Sequence, residues 1–141
     1  METIAQTQNW LMTNLTKTDD FDVTIITPYP GSPYYDDAVE RDGKWIYTVP
    51  KTGDRLFMKE VNYFEEADYY KGGPGDYKSY VWTETLTASD LVQARDCMER
   101  DVRRALGISY PSSQGAQKFE HSMGMSGLPA SILRRSESVV C

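Results

Sequence analysis

Few stretches of this chain carry residues that could do chemistry. Pro28-Tyr29-Pro30-Gly31-Ser32-Pro33-Tyr34-Tyr35 has the most. Three prolines around one glycine force a stiff, ordered turn, and Tyr29, Tyr34 and Tyr35 would give flat walls to a ring-containing ligand. The plainer reading is a turn whose tyrosines cover a core edge. His121, the only histidine, stands beside Glu120 in Phe119-Glu120-His121-Ser122-Met123-Gly124. Such neighbours can act as an acid/base pair, but no nucleophile or metal partner stands near them, so a surface or packing role is the expectation. Cys97 and Cys141 are far apart, and neither a zinc site nor an iron–sulfur cluster can be built from this chain by itself. Gly72-Gly73-Pro74-Gly75 is not a phosphate loop: no Gly-Lys-Ser/Thr enters a helix there, and the glycines do not follow a strand at dinucleotide-site spacing.

The elements that would position these residues can be read from pattern. Val23 to Thr27 is an uncharged, largely β-branched run, expected to be a strand buried on both faces. Pro28 ends it, since proline cannot donate to a ladder. In parallel α/β sheets and barrels, ligands bind at that C-terminal end of the strands. Before it, residues 2 to 16 form an amphipathic helix with Ile4, Trp10, Leu11, Met12 and Leu15 mostly on one face. Helix, short loop, strand and turn make half of a βαβ unit. Tyr34 to Arg41 is expected to be a short helix ending at Asp42-Gly43. Lys44 to Val49 and Arg55 to Val61 read as a hairpin around Lys51-Thr52-Gly53-Asp54, of uncertain register and set beside the proline turn.

Tyr63 to Trp82 is rich in tyrosine, glycine and acid, and reads as a surface loop anchored by its aromatics or as a lid over the proline turn. Ala88 to Leu106 is the most strongly specified element. Thr87 and Asp90 open it as a capping box, Leu91, Ala94, Met98, Val102 and Ala105 form its apolar stripe, and Gly107 stops it. Glu99 with Arg103 and Asp96 with Arg100 are i,i+4 pairs expected on its wet side, and Cys97 is expected to be a half-buried thiol. Beyond Pro111 periodicity is lost, and Ser112 to Cys141 reads as an extended or partly disordered tail. Three regions result: 1–43, 44–110 and 111–141.

The 141 residues suit one domain and are too few for an eight-stranded α/β barrel. A net charge of −6 argues against nucleic-acid and membrane-surface partners. Acidic side chains outnumber basic ones two to one up to residue 90, and basic ones prevail after it. With no apolar run of membrane-spanning length and no basic-plus-apolar leader, the expected location is cytoplasmic.

The stretch from Glu2 to Ile108 resembles the C-terminal third of radical S-adenosylmethionine (radical SAM) enzymes, especially the cobalamin-binding-type and related branches. The resemblance is carried by Thr3-Ile4-x-x-Thr7-x-x-Trp10-Leu11, by Asp20-Phe21-Asp22-Val23-Thr24-Ile25-Ile26-Thr27-Pro28-Tyr29-Pro30-Gly31-Ser32-Pro33-Tyr34-Tyr35, and by Leu86-Thr87-x-x-Asp90-Leu91. It implies a fold class of α/β type: the C-terminal fragment of a partial (β/α)6, TIM-like barrel followed by an α+β extension. The first two segments would be its fifth helix and sixth strand. It also implies that Ile26, Thr27, Pro28, Tyr29, Pro30 and Gly31 lie beside the adenosyl group of SAM, with the aromatic loop as a cover over a small-molecule substrate. The Cys-x3-Cys-x2-Cys loop that holds the [4Fe–4S] cluster is missing, as are the earlier strands and the segment that grips SAM's amino group. SAM and the cluster therefore belong to a complete enzyme, cobalamin is an open further cofactor, and this chain alone is expected to be inactive. Its partners would be the absent N-terminal barrel half, or a second copy through the exposed edge of the Val23–Thr27 strand. A rival reading, from residue types alone, is a non-catalytic acidic α+β module that binds a partner through the Tyr/Trp-rich loop.

Overall fold

A computed structural model describes residues 2–60, 68–70, 78–109 and 118–120. The chain begins with helix α1 (Glu2–Asn14), runs without regular structure through Phe21 to Tyr29, and turns into the four-residue helix α2 (Pro33–Asp36). Strands β1 (Val39–Arg41), β2 (Lys44–Thr48), β3 (Arg55–Met58) and β5 (Val81–Thr83) make an antiparallel sheet in the order β1-β2-β3-β5. Between β3 and β5, strand β4 (Asp68–Tyr70) pairs instead with β6 (Lys118–Glu120) as a separate two-stranded sheet. Helix α3 (Ala88–Leu106) follows β5. The described residues thus form a mixed α/β arrangement of three helices with an open four-stranded antiparallel sheet and a separate two-stranded one.

Local chemistry explains each hairpin. Asp42 and Gly43 both have positive φ, 54° and 74°, the signature of a two-residue type I′ turn whose twist matches that of its flanking strands. That turn sets Arg41 opposite Lys44 and Val39 opposite Ile46. It also corrects the expected Tyr34 to Arg41 helix. Only Pro33–Asp36 is helical, because the Asp-Gly turn draws Val39, Glu40 and Arg41 into the sheet. The second hairpin lies where expected, with Thr48 opposite Arg55 and its loop closed by mutual backbone bonds among Val49, Gly53 and Asp54.

Register then sorts the sheet's two faces, since directly opposed residues share a side. Trp45, Tyr47, Leu56, Met58 and Val81 face the core, where they gather with Ala38, Ile25 and Leu91. Val39, Ile46, Phe57 and Trp82 lie in one row on the opposite face. Among the described residues Tyr35, Met58, Val81, Val102 and Pro28 are fully buried apolar side chains. α1 packs on α3, with Ile4, Leu11, Met12 and Leu15 half-buried, but Trp10 is 60% exposed although the helix pattern had put it with the apolar set.

α3 has the bounds that its sequence signals specify. The Thr87 hydroxyl accepts from the Asp90 amide at 3.1 Å, the Asp90 carboxylate accepts from the Thr87 amide at 2.9 Å, and Gly107 at φ 69° ends the helix in the left-handed region. The Thr87 hydroxyl and then its amide hold the Asp90 carboxyl below its ordinary value near 3.8. Lowering in the folded state means that this contribution is present above that ordinary value and is lost as pH falls through the lowered one. Thr87→Ala is expected to cost about 1 kcal/mol in urea unfolding at neutral pH. The deficit relative to wild type should shrink below pH 3.8, where the Asp90 half of the box is lost from both proteins.

Candidate functional site

The proline turn is as rigid as its composition requires. Ser32 donates to the Tyr29 carbonyl through both its amide, at 3.1 Å, and its hydroxyl, at 2.7 Å. Pro30 and Gly31 occupy the two central positions, and Gly31 has φ 88°, which the third position of a type II turn demands. A Cβ on Gly31 would meet nothing within 4 Å, so glycine is needed there for conformation and not for space. The Asp36 carboxylate accepts from the Gly31 amide at 3.2 Å, tying the turn to α2. Pro33 opens that helix at a position where its missing N–H is harmless. Tyr34 meets Tyr47 of β2 with ring centroids 4.9 Å apart, which places the hairpin beside the turn, as expected.

Leading into the turn, Val23 to Thr27 pairs with no strand among the described residues, which corrects the expectation of a strand buried on both faces. Burial alternates instead. Val23, Ile25 and Thr27 are half-buried, Thr24 and Ile26 are exposed, and Pro28 is fully buried. The segment lies against α3 and α1, where Ile4, Val23, Ile25, Leu91, Ala94 and Met98 line a mostly apolar cleft of about 240 Å³. A parallel ladder needs a neighbouring strand, and here side chains of α3 take its place on the backbone. Arg95 Nε donates to the Val23 carbonyl at 2.7 Å, and Glu99 Oε2 accepts from the Val23 amide at 2.9 Å.

Those two residues belong to a buried network. Arg95, Glu99 and Arg103 are 3%, 1% and 3% exposed, which corrects the expectation that the Glu99–Arg103 pair lies on the wet side of the helix. Arg103 Nε reaches Glu99 Oε1 at 2.7 Å, its other nitrogens reach Asp20, the Phe21 carbonyl and the Ser109 carbonyl, and its guanidinium sits 4.7 Å over the Phe21 ring. Arg95 reaches Asp22 at 3.0 Å and Asp96 at 2.9 Å. The expected Asp96–Arg100 pair is replaced: Asp96 bonds to Arg95, and Arg100 bonds to Asp101. For both buried arginines the largest influence on the pKa is burial, which lowers it. Partners outweigh burial, Asp96, Glu99 and Asp22 around Arg95 and Glu99 and Asp20 around Arg103, so each guanidinium ends above its ordinary value. Both stay charged at any pH at which the protein folds.

Sequence reasoning missed Arg95 and misplaced Glu99 and Arg103. The available signal was the Arg95, Glu99, Arg103 spacing, an i, i+4, i+8 charged stripe beside the apolar one, together with Asp20 and Asp22 far upstream. Of the residues expected to line a site, Ile26 is 39% exposed, Thr27, Tyr29 and Pro30 are half-buried, Gly31 is exposed, and Pro28 is buried beneath them. These are features of an apolar wall open on one side. They fit one face of an adenosyl group, provided that another element supplies the opposite face. The residues do not fit an iron–sulfur cluster. The sequence has two cysteines where the cluster loop has three, and among the described residues no group of His, Cys, Asp or Glu side chains is placed to hold a metal ion.

Cys97 is half-buried, as expected. Of the aromatic loop, Tyr80 is buried and Trp82 is a strand residue stacked on Phe57, while 61–67 and 71–77 lie outside the described residues. In the tail, Lys118–Glu120 forms a strand where no element was expected, and His121 lies outside the described residues. Among the described residues no helix is long and apolar enough to cross a membrane. No protein-family model, no curated protein and no solved structure matches the chain.

Because the network holds Val23 by both backbone groups, removing its central carboxylate takes the acceptor from the buried Val23 amide and one carboxylate partner from each of two buried guanidiniums. Glu99→Leu is expected to destabilise the chain by about 3–5 kcal/mol in urea unfolding, and Glu99→Gln by less, since it keeps one acceptor and the shape of the side chain. A loss under about 1 kcal/mol for Glu99→Leu would show that the network does not hold the segment.

Proposed function

We propose that this chain is the C-terminal, SAM- and substrate-contacting part of a radical SAM enzyme, the α+β end of a partial (β/α)6 barrel, and that it is inactive by itself. The observation that carries the reading is the two-sidedness of the segment before the proline turn. Val23 and Ile25 are half-buried against the cleft between α1 and α3, whose rim the exposed Thr24 also joins, whereas Ile26 lies outside that cleft and is exposed. Barrel strands alternate in this way between the surrounding helices and the interior. An exposed isoleucine leading into a rigid Tyr-Pro-Gly turn is what the end of such a strand would present to a ligand, and the resemblance of Asp20 to Tyr35 to the radical SAM sixth strand points the same way.

On this reading Tyr29 and Pro30 form a stacking wall for the adenine of SAM, and Ile26 and Thr27 keep water from the reacting carbon. SAM bound to a [4Fe–4S] cluster supplies a 5′-deoxyadenosyl radical in such enzymes, and the cluster would be held by the missing N-terminal barrel half. That half is the main partner, with self-association as the state of the chain when it is absent. Cobalamin, the substrate and the location in the cell depend on the rest of the enzyme. The rival is an acidic partner-binding module acting through the Tyr/Trp-rich loop; of the loop's described aromatics, Tyr80 is buried and Trp82 stacks on Phe57, neither free to meet a partner, while Tyr69 and Tyr70 lie in β4.

The test begins with the DNA upstream of Met1, read in all frames for a Cys-x3-Cys-x2-Cys loop, followed by anaerobic cluster reconstitution of the two pieces together. The assembled protein is expected to bind SAM, and Tyr29→Ala with Pro30→Ala to weaken that binding about tenfold, the loss of one stacking face. Unchanged affinity in the double variant would remove the adenine-wall role, and an upstream region without the loop would leave the binding-module reading in its place.

A further inference from the structure

The face of the sheet turned away from the core has a composition unlike the rest of the chain. Its central row, Val39, Ile46, Phe57 and Trp82, crosses all four strands, a span of roughly 14 Å at about 4.8 Å per strand. Cations stand along this row. Lys44 Nζ lies 5.0 Å and the Arg55 guanidinium 5.4 Å from the centre of the Phe57 ring, and on the next residue pair Lys59 Nζ lies 5.1 Å from the centre of the Tyr80 ring. Arg41 is exposed at the β1 end. Arg55 is paired with the carboxylate of Glu84, and both side chains of the pair are half exposed. A basic, apolar-floored surface on a chain of net charge −6 is set apart by its sign.

At the β1 end the face dips into a cleft of about 290 Å³ floored by Val39 and Ile46, with Arg41 and Arg55 among its walls and Asp37 at its rim. Val39 is 56% exposed there, although it is the apolar end of the row. We infer that this cleft and the adjoining row are a docking surface for an acidic polypeptide segment, which places one aliphatic or aromatic side chain on Val39 and Ile46 and its carboxylates on Arg41, Lys44 and Arg55. Charge complementarity selects the occupant. Lys44 and Arg55 approach the Phe57 ring, and Trp82 stacks on it at 18°, so the platform lacks the open ring faces that single-stranded nucleic acid needs for base stacking. A polypeptide carboxylate can pair with these cations without displacing them from the ring. This inference does not rest on the SAM reading, because the face lies on the opposite side of the sheet from the core that Ile25 joins.

The test is selection of a random peptide phage library on the full chain, followed by affinity measurement with a synthetic peptide of the enriched sequence. Enriched peptides are expected to carry Asp or Glu around one Leu, Ile, Phe or Trp. Their Kd should rise about tenfold in the Arg41→Glu, Arg55→Glu double variant and in Val39→Glu, less in Arg41→Gln, and further with added salt. The positions are exposed or half exposed, so unchanged melting of Arg41→Gln and Val39→Glu identifies the change as one of binding. Three results would each overturn the inference: peptides without acidic enrichment, a Kd that the folded variants leave unchanged, or displacement of the peptide by an oligouridylate that itself binds more tightly.

Discussion

Everything on the helical side of this molecule depends on how the backbone of one residue, Val23, is satisfied. A buried amide or carbonyl without a partner costs a few kcal/mol, and strands ordinarily avoid that cost by pairing with other strands. Here Glu99 and Arg95 accept from and donate to Val23 as a neighbouring strand would, from the side of a helix. Two consequences follow. Helix α3 cannot rotate or slide without breaking bonds to the segment, and the segment cannot leave the helix without taking Asp20 and Asp22 from two buried guanidiniums and the Val23 amide from the Glu99 carboxylate. The proline turn begins five residues later, so its position is inherited from this contact.

The network also explains how an acidic, modestly apolar chain of this size holds an irregular segment in place. Among the described residues the buried apolar groups include Tyr35, Met58, Tyr80, Val81, Met98 and Val102. Buried ion pairs are poor sources of net stability, because desolvation offsets most of their attraction. They are good at enforcing one geometry, since few alternative placements would satisfy five guanidinium N–H donors. Arg103, bonded at once to Glu99, Asp20, Phe21 and Ser109, joins the helix's last turns, the start of the segment and the chain beyond the helix in a single arrangement.

Local signals in the sequence were legible wherever one short-range mechanism decided the outcome. Thr87, Asp90 and Gly107 gave both ends of α3, and Lys51 to Asp54 gave the β2–β3 hairpin. Where two mechanisms competed, the longer-range one prevailed. Asp42-Gly43 looked like a helix stop, but the same φ > 0 pair serves a type I′ hairpin, and strand pairing with β2 recruited residues 39 to 41. Val23 to Thr27 has the composition of a buried strand and lacks a neighbour to pair with among the described residues. Glu99 and Arg103 have the spacing of a solvated pair, and burial could not be read from that spacing because it depends on Asp20, Asp22 and Val23, more than seventy residues away. Of the turn, the stiffness and the place of the glycine were legible. The exposure of Ile26 was not, since it depends on what covers the segment's second face.

The two faces of the molecule differ in the kind of completion they call for. The wall formed by Ile26, Tyr29 and Pro30 is apolar and has no charged residue within it, and the segment leading into it is held at Val23 by the buried network; on the proposed reading a second apolar surface would complete it. The outer face of the sheet has cations half exposed to solvent over the buried Phe57 ring, where an acidic segment would meet them at modest desolvation cost. The first completion would be a permanent one, because burying β-branched side chains yields about 25 cal/mol per Å² whatever the salt concentration. The second would be reversible and salt-sensitive, because exposed charges are screened within about a Debye length of 8–10 Å. If both proposals hold, assembly and recognition are separate: the interaction that would complete the wall and the one that would recruit an acidic partner respond to different conditions.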